Sequence, residues 1–365
     1  MCNNIYESIG LKRTINASGR MTALGVSTIN DEVARAMIQG GQSYVVIDDL
    51  FEKSGELLSK FTGAEASLIT SSASAGIAIS VAAVIAKDDM KDIRNLPDST
   101  GLKNEVIIPK GHCVGFGAPI SSMIKLGGGK VVEAGLVNQV AKADIINEIN
   151  DNTAAIIYVK SHHTVQKGMI AINDIIEVAH QHNLPLIIDA AAEEDLHKYI
   201  NLGADLVIYS GAKAFEGPTS GFITGKKELI HYAHLQYQGI GRPMKIGKEG
   251  IMGILKALEI YNNRNEREIV KKMHEDINYL ISGLSDIDKI EVKEIQDEAG
   301  REIYRLEIKL LEGDAFNIDK QLKNGNPAIH CRSHRLNEKI ITLDVRPLVA
   351  DDKDIIIKRF KEILK

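Results

Sequence analysis

Short apolar runs alternate with helical patterns through the middle of the chain. Several runs are apolar at consecutive positions, which is typical of parallel strands buried on both faces. The predicted strands are residues 66–70, 105–109, 130–133, 154–159, 185–189, 205–209 and 221–224. Between them we predict helices at 74–86, 141–149 and 172–182, with a polar loop at 87–103. This rhythm predicts an α/β fold with a mainly parallel sheet.

The pattern changes after residue 224. Residues 226–238 and 248–281 have helical spacing, and the second stretch predicts one long helix ended by the turn 282–286, with Gly283 as its breaker. From residue 290 the pattern alternates through KIEVKEI, REIYRLEIKL, AIHCRS and KIITLDV, with helices predicted at 314–322 and 351–364. These elements predict a small C-terminal α+β domain.

The length of 365 residues predicts a large domain with a smaller one. We place an N-terminal segment at 1–65, a large domain at 66–245, a connecting helix at 246–285 and the small α+β domain at 286–365. No repeat or low-complexity segment interrupts this organisation.

Charge and composition narrow the class of protein. The net charge of −5 provides no general basic field for a nucleic acid. Three cysteines without a CxxC pair suit a reducing compartment. The start of the chain has no apolar signal region, and the apolar run 77–86 is too short to cross a bilayer. We therefore expect a soluble, cytoplasmic protein with no membrane partner and, unless a local patch binds one, no nucleic-acid partner.

Two glycine-rich patches and one His/Cys group are weak candidates for binding sites. GGGK at 127–130 is followed by valine rather than Ser or Thr, and GFG at 115–117 lacks a third glycine, so both are predicted turns. His330, Cys331 and His334 could ligate a metal, but alternation along a strand sends the first two to opposite faces. We expect no metal site.

Three segments carry candidate chemistry. Residues 70–76, TSSASAG, join a strand to a helix, so they offer backbone N–H groups and hydroxyls to a phosphate, unless Ser74 only caps the helix. Asp189 ends an apolar strand, where α/β sheets bind ligands; a structural ion pair is the alternative. Lys213 follows another buried strand in a loop of small residues, which favours a functional amine.

These three elements together resemble the fold-type I pyridoxal-phosphate enzymes, the aspartate aminotransferase-like superfamily. The resemblance implies that Asp189 binds the pyridine nitrogen and that Lys213 forms the Schiff base and then acts as the base at Cα. It also implies that Ser72, Ala73 and Ser74 bind the cofactor phosphate, together with Ser210.

A narrower resemblance extends over nearly the whole chain, to the bacterial seryl-tRNA selenium transferase (selenocysteine synthase) family and its shorter relatives. The matching segments are INASGRMTALG, GGQSYVVIDDL, EVIIPKGHCVGFG, VEAGLVNQ, YVKSHHTV, GIGRPMKIGKEGIMGILKALEIY and LDVRPL. Only 15 residues precede Asn16, where the selenium enzymes carry a separate tRNA-binding domain, so a tRNA substrate is not expected. Among the shorter relatives the chain looks most like the D-glucosaminate-6-phosphate ammonia-lyases.

The resemblance also suggests roles for three histidines. His112 follows the predicted strand 105–109 at a position that often stacks on the cofactor ring; a capping or solvated histidine is the alternative. His162 and His163 follow the strand 154–159, where the superfamily contacts the cofactor or substrate. One of them, with His163 as our choice, could protonate the departing 3-hydroxyl, unless both are structural.

Three arginines and a tyrosine resemble anion-binding positions. Arg242, Arg20 and Tyr44 match segments that reach a cofactor or substrate at a dimer interface, and Arg346 matches a position that binds the substrate carboxylate. An ordinary ion pair is the alternative for each arginine. The resemblance thus implies a homodimer or a larger homo-oligomer built from dimers.

The implied reaction is the conversion of a phosphorylated 2-amino sugar acid, D-glucosaminate 6-phosphate, to ammonia and a 2-keto-3-deoxy acid phosphate. Two other enzyme activities stay open: a selenium or sulfur transferase acting on seryl-tRNA, and another pyridoxal-phosphate β-eliminating lyase acting on an amino acid. A non-catalytic binding module would be expected to lack Lys213, which is present.

Overall fold

The apolar runs form the strands of the sheets in this computed structural model, which describes residues 5–161, 164–297, 301–349 and 351–364. All seven strands predicted for the central sheet are confirmed to within one residue. The strands are β1 (Thr14–Ala17), β2 (Ala66–Thr70), β3 (Glu105–Pro109), β4 (Lys130–Ala134), β5 (Thr153–Val159), β6 (Leu186–Asp189), β7 (Leu206–Ser210), β8 (Gly221–Gly225), β9 (Ile290–Gln296), β10 (Tyr304–Leu310), β11 (Ala328–Cys331) and β12 (Ile340–Asp344).

The helices cover these sheets and connect their strands. They are α1 (Asp31–Gln42), α2 (Ile47–Thr62), α3 (Ala73–Ala86), α4 (Met90–Asn95), α5 (Ile120–Leu126), α6 (Lys142–Glu148), α7 (Ile172–Gln181), α8 (Lys198–Asn201), α9 (Lys227–Leu235), α10 (Lys248–Asn262), α11 (Glu266–Leu284), α12 (Ala315–Asn324) and α13 (Asp352–Leu364). The two helices α1 and α2 lie in a region for which we made no helix prediction.

Contacts within the chain define two units. The larger unit comprises Ile29–Asn263, and the smaller one joins the residues before Ile29 to those from Arg264 onward. These boundaries differ from the expected ones, because β1 pairs in parallel with β11 near the other end of the chain, from Thr14 against Ala328 to Ala17 against Cys331. A role of the N-terminal segment in a dimer interface stays a prediction.

The larger unit contains a seven-stranded sheet in the order β2-β8-β7-β6-β5-β3-β4. Only β8 is reversed, since it pairs antiparallel with both β2 and β7. The strands β2, β6 and β7 therefore run in the same direction, so Thr70, Asp189 and Ser210 end them at one edge of the sheet.

Helix α3 is apolar on all sides, and its residues from Ala75 to Ala86 are buried. It packs against β7, β8, α5 and α9. This environment explains why a helix without an amphipathic pattern is stable here, since no face of it meets water.

The smaller unit contains the antiparallel sheet β12-β10-β9 with α11, α12 and α13. Apolar side chains of β10 and β12, such as Leu306 and Leu343, pack with Ile277 of α11 and Phe360 of α13 in its core. The predicted α+β arrangement is therefore confirmed for this part of the chain.

Three local predictions are wrong. The polar loop at 87–103 contains α4, which the Asp89 side chain caps by accepting from the backbone N–H groups of Lys91 and Asp92. The single helix at 248–281 is two helices, because the Asn265 side chain accepts from backbone N–H groups of the first turn of α11 and starts a new helix.

The third error concerns Gly283. The helix does end within the predicted turn 282–286, at Leu284, but Gly283 itself is still part of α11. A Cβ atom at Gly283 would stand 2.3 Å from the side chain of Ile357 in α13. Close packing of two helices, rather than a turn, therefore requires the glycine.

Among the described residues, no helix combines the length and the apolar character needed to span a membrane.

Two buried serines of the larger unit provide a matched test of the packing. The Ser80 hydroxyl in α3 has no hydrogen-bond partner among the described residues, whereas that of Ser54 in α2 donates to the Phe51 carbonyl at 3.1 Å. We expect Ser80→Ala to raise the free energy of unfolding by about 1 kcal/mol and Ser54→Ala to lower it by about 1 kcal/mol. Chemical denaturation measures both; equal losses would show that the Ser80 hydroxyl is hydrogen-bonded.

Candidate active site

Asp189 ends β6 with a carboxylate that is only 5% exposed. Its Oδ1 accepts a hydrogen bond of 3.0 Å from the backbone N–H of Ala191, and none of the described residues forms an ion pair with it. Burial raises the pKa of Asp189, while the Ala191 N–H and the charge of Lys213 oppose that rise. A buried carboxylate without a bonded cation is costly, so the group suits a ligand that brings its own N–H.

Lys213 lies in the turn that follows β7, the strand beside β6. Two backbone hydrogen bonds of 2.9 Å close this turn, from Gly211 N–H to the Ser220 carbonyl and from Gly217 N–H to the Gly211 carbonyl. Lys213 is half-buried, and its amine has no hydrogen bond or ion pair with any described residue. The amine and the Asp189 carboxylate are near enough to interact electrostatically.

The start of α3 offers donors to an anion. Ser72, not Ser74, is the N-cap: its Oγ accepts from the Ala75 N–H at 3.0 Å, and its carbonyl accepts from the Gly76 N–H at 3.0 Å. The N–H groups of Ala73 and Ser74 have no acceptor among the described residues. With the positive end of the helix dipole behind them, these two donors fit a phosphate.

His112 is fully buried, so the solvated alternative is wrong. Its Nδ1 accepts a hydrogen bond of 3.3 Å from the Val159 N–H, and its ring meets that of Tyr158 edge-on at 4.4 Å. Burial lowers the pKa of His112 to about 4, so the ring is neutral at physiological pH. Stacking on a cofactor stays a prediction that this burial does not support.

The remaining predicted site residues are not all brought to the Asp189 edge. His162 and His163 lie outside the described residues. In the larger unit Arg242 is exposed, and Tyr44 is fully exposed except for Lys248 Nζ, 5.4 Å from its ring centre. Their roles stay predictions.

Arg20 and Arg346 belong to the smaller unit. Arg346 holds the fully buried Asp344 through two hydrogen bonds, from Nε to Oδ1 at 2.9 Å and from Nη2 to Oδ2 at 2.7 Å. Arg346 therefore forms an ion pair, which was the alternative to substrate binding. Substrate binding by Arg20 or Arg346 stays a prediction.

Comparison with known proteins gives the family. Residues 14–289 match the family model of L-seryl-tRNA selenium transferase. The chain belongs to this family. It is 46% identical to a D-glucosaminate-6-phosphate ammonia lyase of Salmonella typhimurium, over 100% of this chain and 98% of that protein. It is also 35% identical to a 5'-C-glycyluridine monooxygenase-decarboxylase of a Streptomyces species, over 98% of this chain and 92% of that protein.

Solved structures confirm the fold. A D-glucosaminate-6-phosphate ammonia-lyase structure superposes with a TM-score of 0.95 at 46% identity, covering 100% of this chain and 99% of that chain. An aspartate aminotransferase from Thermotoga maritima, at 15% identity and a TM-score of 0.51, covers 98% of this chain and 93% of that one and shares the fold alone. Seryl-tRNA selenium transferases and aminotransferases are pyridoxal-phosphate-dependent families.

The residues of this family member fit that cofactor. The buried Asp189 carboxylate lacks a bonded cation, the Lys213 amine is unpaired among the described residues, and the Ala73 and Ser74 N–H groups lack acceptors. These are the complements of a pyridinium N–H, an aldehyde and a phosphate. All of them follow strands that end at one edge of the sheet.

Sequence reasoning missed Gly221 at the start of β8. A Cβ atom there would stand 2.4 Å from the backbone nitrogen of Ala73, so only glycine lets β8 pass the start of α3. Gly221 also pairs with Ser210, the last residue of β7 and a predicted phosphate ligand, which places Ser210 on the strand next to this close approach. The sequence signal was a glycine opening an apolar strand after Ser220.

Asp189→Asn tests whether the site is built for a cation. Without cofactor we expect the variant to be at least as stable as the wild type, because the amide removes a buried charge that has no bonded partner. With pyridoxal phosphate added, the wild type should gain more thermal stability than the variant. Thermal unfolding with and without the cofactor measures both.

Asp205→Asn is the matched control. Asp205 is also buried beside the sheet, but it holds Lys226 and, at 3.1 Å, His180. Its variant should lose about 2 kcal/mol with or without cofactor, because the buried carboxylate gives up its charge-assisted contacts with these two half-exposed cations. If Asp189→Asn were equally destabilised without cofactor, Asp189 would be a structural residue.

Proposed function

We propose that the protein is a pyridoxal-phosphate-dependent ammonia-lyase that converts D-glucosaminate 6-phosphate to 2-keto-3-deoxygluconate 6-phosphate and ammonia. The observation that carries the proposal is the unpaired Lys213 amine beside the buried Asp189 carboxylate. The choice of substrate rests on the 46% identity to the Salmonella typhimurium enzyme over the whole chain. A cytoplasmic location is part of the proposal and rests on the cysteine usage.

Bound pyridoxal phosphate supplies the electron sink that makes the proton on the substrate C2 acidic. Asp189, as a carboxylate, holds a proton on the pyridine nitrogen. The backbone N–H groups of Ala73 and Ser74, with the hydroxyls of Ser72, Ser74 and Ser210 nearby, bind the cofactor phosphate. Lys213 would hold the aldehyde carbon of the cofactor through Nζ.

Lys213 would have a second task as the base of the reaction. Its Nζ would take the proton from the substrate C2 and hold it as ammonium. The C3 hydroxyl then leaves as water, for which His163 is the proposed proton donor. One water is lost and one is taken up as ammonia departs, so the balance is one sugar acid to one keto acid and one ammonia.

His112 carries no charge in the proposed mechanism. With a pKa lowered to about 4 by burial, its ring brings no positive charge to the end of β3 near physiological pH.

The enzyme assay tests the function. We expect purified protein with pyridoxal phosphate to release ammonia and keto acid in equal amounts from D-glucosaminate 6-phosphate. Lys213→Ala should lose at least about 100-fold in turnover, because a positioned base is removed. Lys227→Ala, which removes an exposed lysine of the same unit, should keep wild-type turnover. Full activity of Lys213→Ala would contradict the proposal.

The assay panel also separates the rival activities. Serine and other β-substituted amino acids represent the amino-acid lyase, and seryl-tRNA represents the transferase. A tRNA complex that weakens steeply with salt would favour the transferase. The net charge of −5 leads us to expect no shift of tRNA at physiological salt.

We further propose that the enzyme is a homodimer, or a larger homo-oligomer built from dimers, whose subunits share active sites. A run of four apolar residues in the larger unit is exposed, namely Tyr44 at 104%, Val45 at 46%, Val46 at 63% and Ile47 at 47%. Such a run on the surface is typical of an interface, and a second copy of the chain is the proposed partner. Tyr44 and Arg242 would then serve the neighbouring site.

Mixing two inactive variants tests the shared site. Lys213→Ala and Arg242→Ala chains, combined under conditions that allow subunit exchange, should recover about a quarter of wild-type activity if exchange is random and one site per mixed dimer is intact. Turnover and the oligomeric state are measured together. An active monomer, or an inactive mixture despite proven exchange, would assign Arg242 to its own chain or to a structural role.

A further inference from the structure

A cavity of about 800 Å³ opens at the edge of the seven-stranded sheet that lies opposite Asp189. The strands β5, β6 and β7 begin at this edge, and the reversed strand β8 ends there at Gly225. All residues that line the cavity belong to the larger unit. Its volume is in the range of sites that bind small molecules, roughly 300–1,000 Å³.

Helix α3 extends from the candidate active site to this cavity. Ala73 and Ser74 in its first turn carry the N–H groups proposed to bind the cofactor phosphate, whereas Val84 and Ile85 near its end line the cavity. A helix of 14 residues is about 21 Å long. A ligand in the cavity therefore lies away from the cofactor site.

The two carboxylates that line the cavity already have partners within the chain. Asp205, which is 2% exposed, binds Lys226 and, at 3.1 Å, the Nε2 atom of His180. Glu228 accepts a hydrogen bond of 2.6 Å from the hydroxyl of Tyr232. Lys226 is thus used by Asp205 and is not left for an external anion.

Two further lysines line the cavity without such partners. Lys87 and Lys103 are exposed, and neither side chain forms a hydrogen bond or ion pair with a described residue. Three lysines and two carboxylates line the cavity in a chain whose net charge is −5. The cavity is therefore locally more positive than the protein as a whole, which favours an anion.

The backbone of Lys87 is strained. Lys87 is the C-cap of α3 and has φ 49° and ψ −120°, a conformation that glycine adopts readily and that a side chain disfavours. Its side chain has no hydrogen bond or ion pair among the described residues that would offset this cost. Strain that the unliganded chain does not offset is typical of positions that bind a ligand.

The same cavity also has apolar surface. Ile85, Leu184, Pro185 and Leu229 contribute to it, together with the half-buried ring of Tyr232. Apolar surface gains nothing from a bare inorganic ion, but it binds the hydrocarbon or ring of an organic ligand. The lining is therefore suited to a molecule with a charged end and an apolar body.

We propose that this cavity is a second binding site of the larger unit, for a small organic anion that joins an apolar body to a phosphate or carboxylate group. Lys87 and Lys103 bind the anionic group, and the apolar lining binds the body. The inference goes beyond the proposed function and does not depend on it, because no residue of the cavity is among the proposed cofactor or substrate ligands.

A single fluorescent reporter tests whether the cavity binds such a molecule. The chain contains no tryptophan, so Tyr232→Trp puts one indole in the cavity. The holoenzyme with this change is titrated with anilinonaphthalene sulfonate, an apolar anion that accepts excitation energy from a nearby indole. We expect saturable energy transfer, and much less from Tyr279→Trp, which replaces an exposed tyrosine of the smaller unit. Equal transfer from both proteins would overturn the inference.

Charge variants in the Tyr232→Trp protein test the two lysines. Lys87→Gln and Lys103→Gln should each weaken the binding of the probe by about 3-fold, and the two together by about 10-fold. Glu228→Gln should strengthen it by about 2-fold, because a negative charge leaves the cavity.

Lys91→Gln is the matched control for these variants. Lys91 is an exposed lysine four residues beyond Lys87 that does not line the cavity, so its variant should bind the probe as the parent does. Equal effects of Lys91→Gln and Lys87→Gln would mean that net charge alone attracts the probe, and would overturn the inference. Lys213→Ala should also leave binding unchanged; loss of binding in that variant would assign the probe to the candidate active site instead.

Competition identifies the anionic group. Adenosine monophosphate should displace the probe if the cavity prefers a phosphate, and octanoate should displace it if the cavity prefers a carboxylate. Displacement by neither compound at millimolar concentration would overturn the inference.

Lys87→Gly separates binding from stability without the reporter. In the absence of ligand this variant should unfold at or above the wild-type temperature, because glycine relieves the strained backbone. It should gain less thermal stability than the wild type from whichever compound displaces the probe. A lower unfolding temperature without ligand, combined with an equal gain from that compound, would make Lys87 a structural residue and overturn its role.

Discussion

A carboxylate that is 5% exposed and has no bonded cation among the described residues raises the free energy of the unliganded larger unit. Asp189 is held in that state by its place at the end of a central strand, with strands on both sides. The parallel direction of β2, β6 and β7 brings Lys213 and the start of α3 to the same edge of the sheet. Strand direction thus places the costly buried charge beside the groups that we propose bind the cofactor.

In the smaller unit, by contrast, the buried carboxylate is paired with cations of the same chain. Asp344 is satisfied from within the chain by Arg305 and Arg346, so it is a structural anchor for arginines rather than a site for an external cation. The two units therefore satisfy a buried carboxylate in different ways. In the larger one Asp189 has no bonded cation among the described residues, whereas in the smaller one two arginines hold Asp344.

Much of this could be predicted because the relevant signals are local. A run of apolar residues that ends in a charge marks a buried strand with a side chain at its edge, and this holds for Asp189 and, through a short turn, for Lys213.

Non-local contacts were not predictable. Gly283 reads as a helix end, but its contact is Ile357 in another helix. Ser72 and Ser74 are both of a residue type that caps helices, and only the backbone conformation shows that Ser72 caps α3.

The pairing of β1 with β11 joins two segments of the chain that are synthesised at different times. Thr14 leaves the ribosome long before its partner Ala328, and at roughly 5–20 residues per second the delay is on the order of 15–60 seconds. All of Ile29–Asn263 is synthesised within that interval. The turn at Gly19, where a Cβ atom would stand 3.0 Å from Asp344 Oδ2, therefore reaches its final place only after Asp344 has been synthesised, so a nascent chain that has already folded its larger unit still lacks this contact.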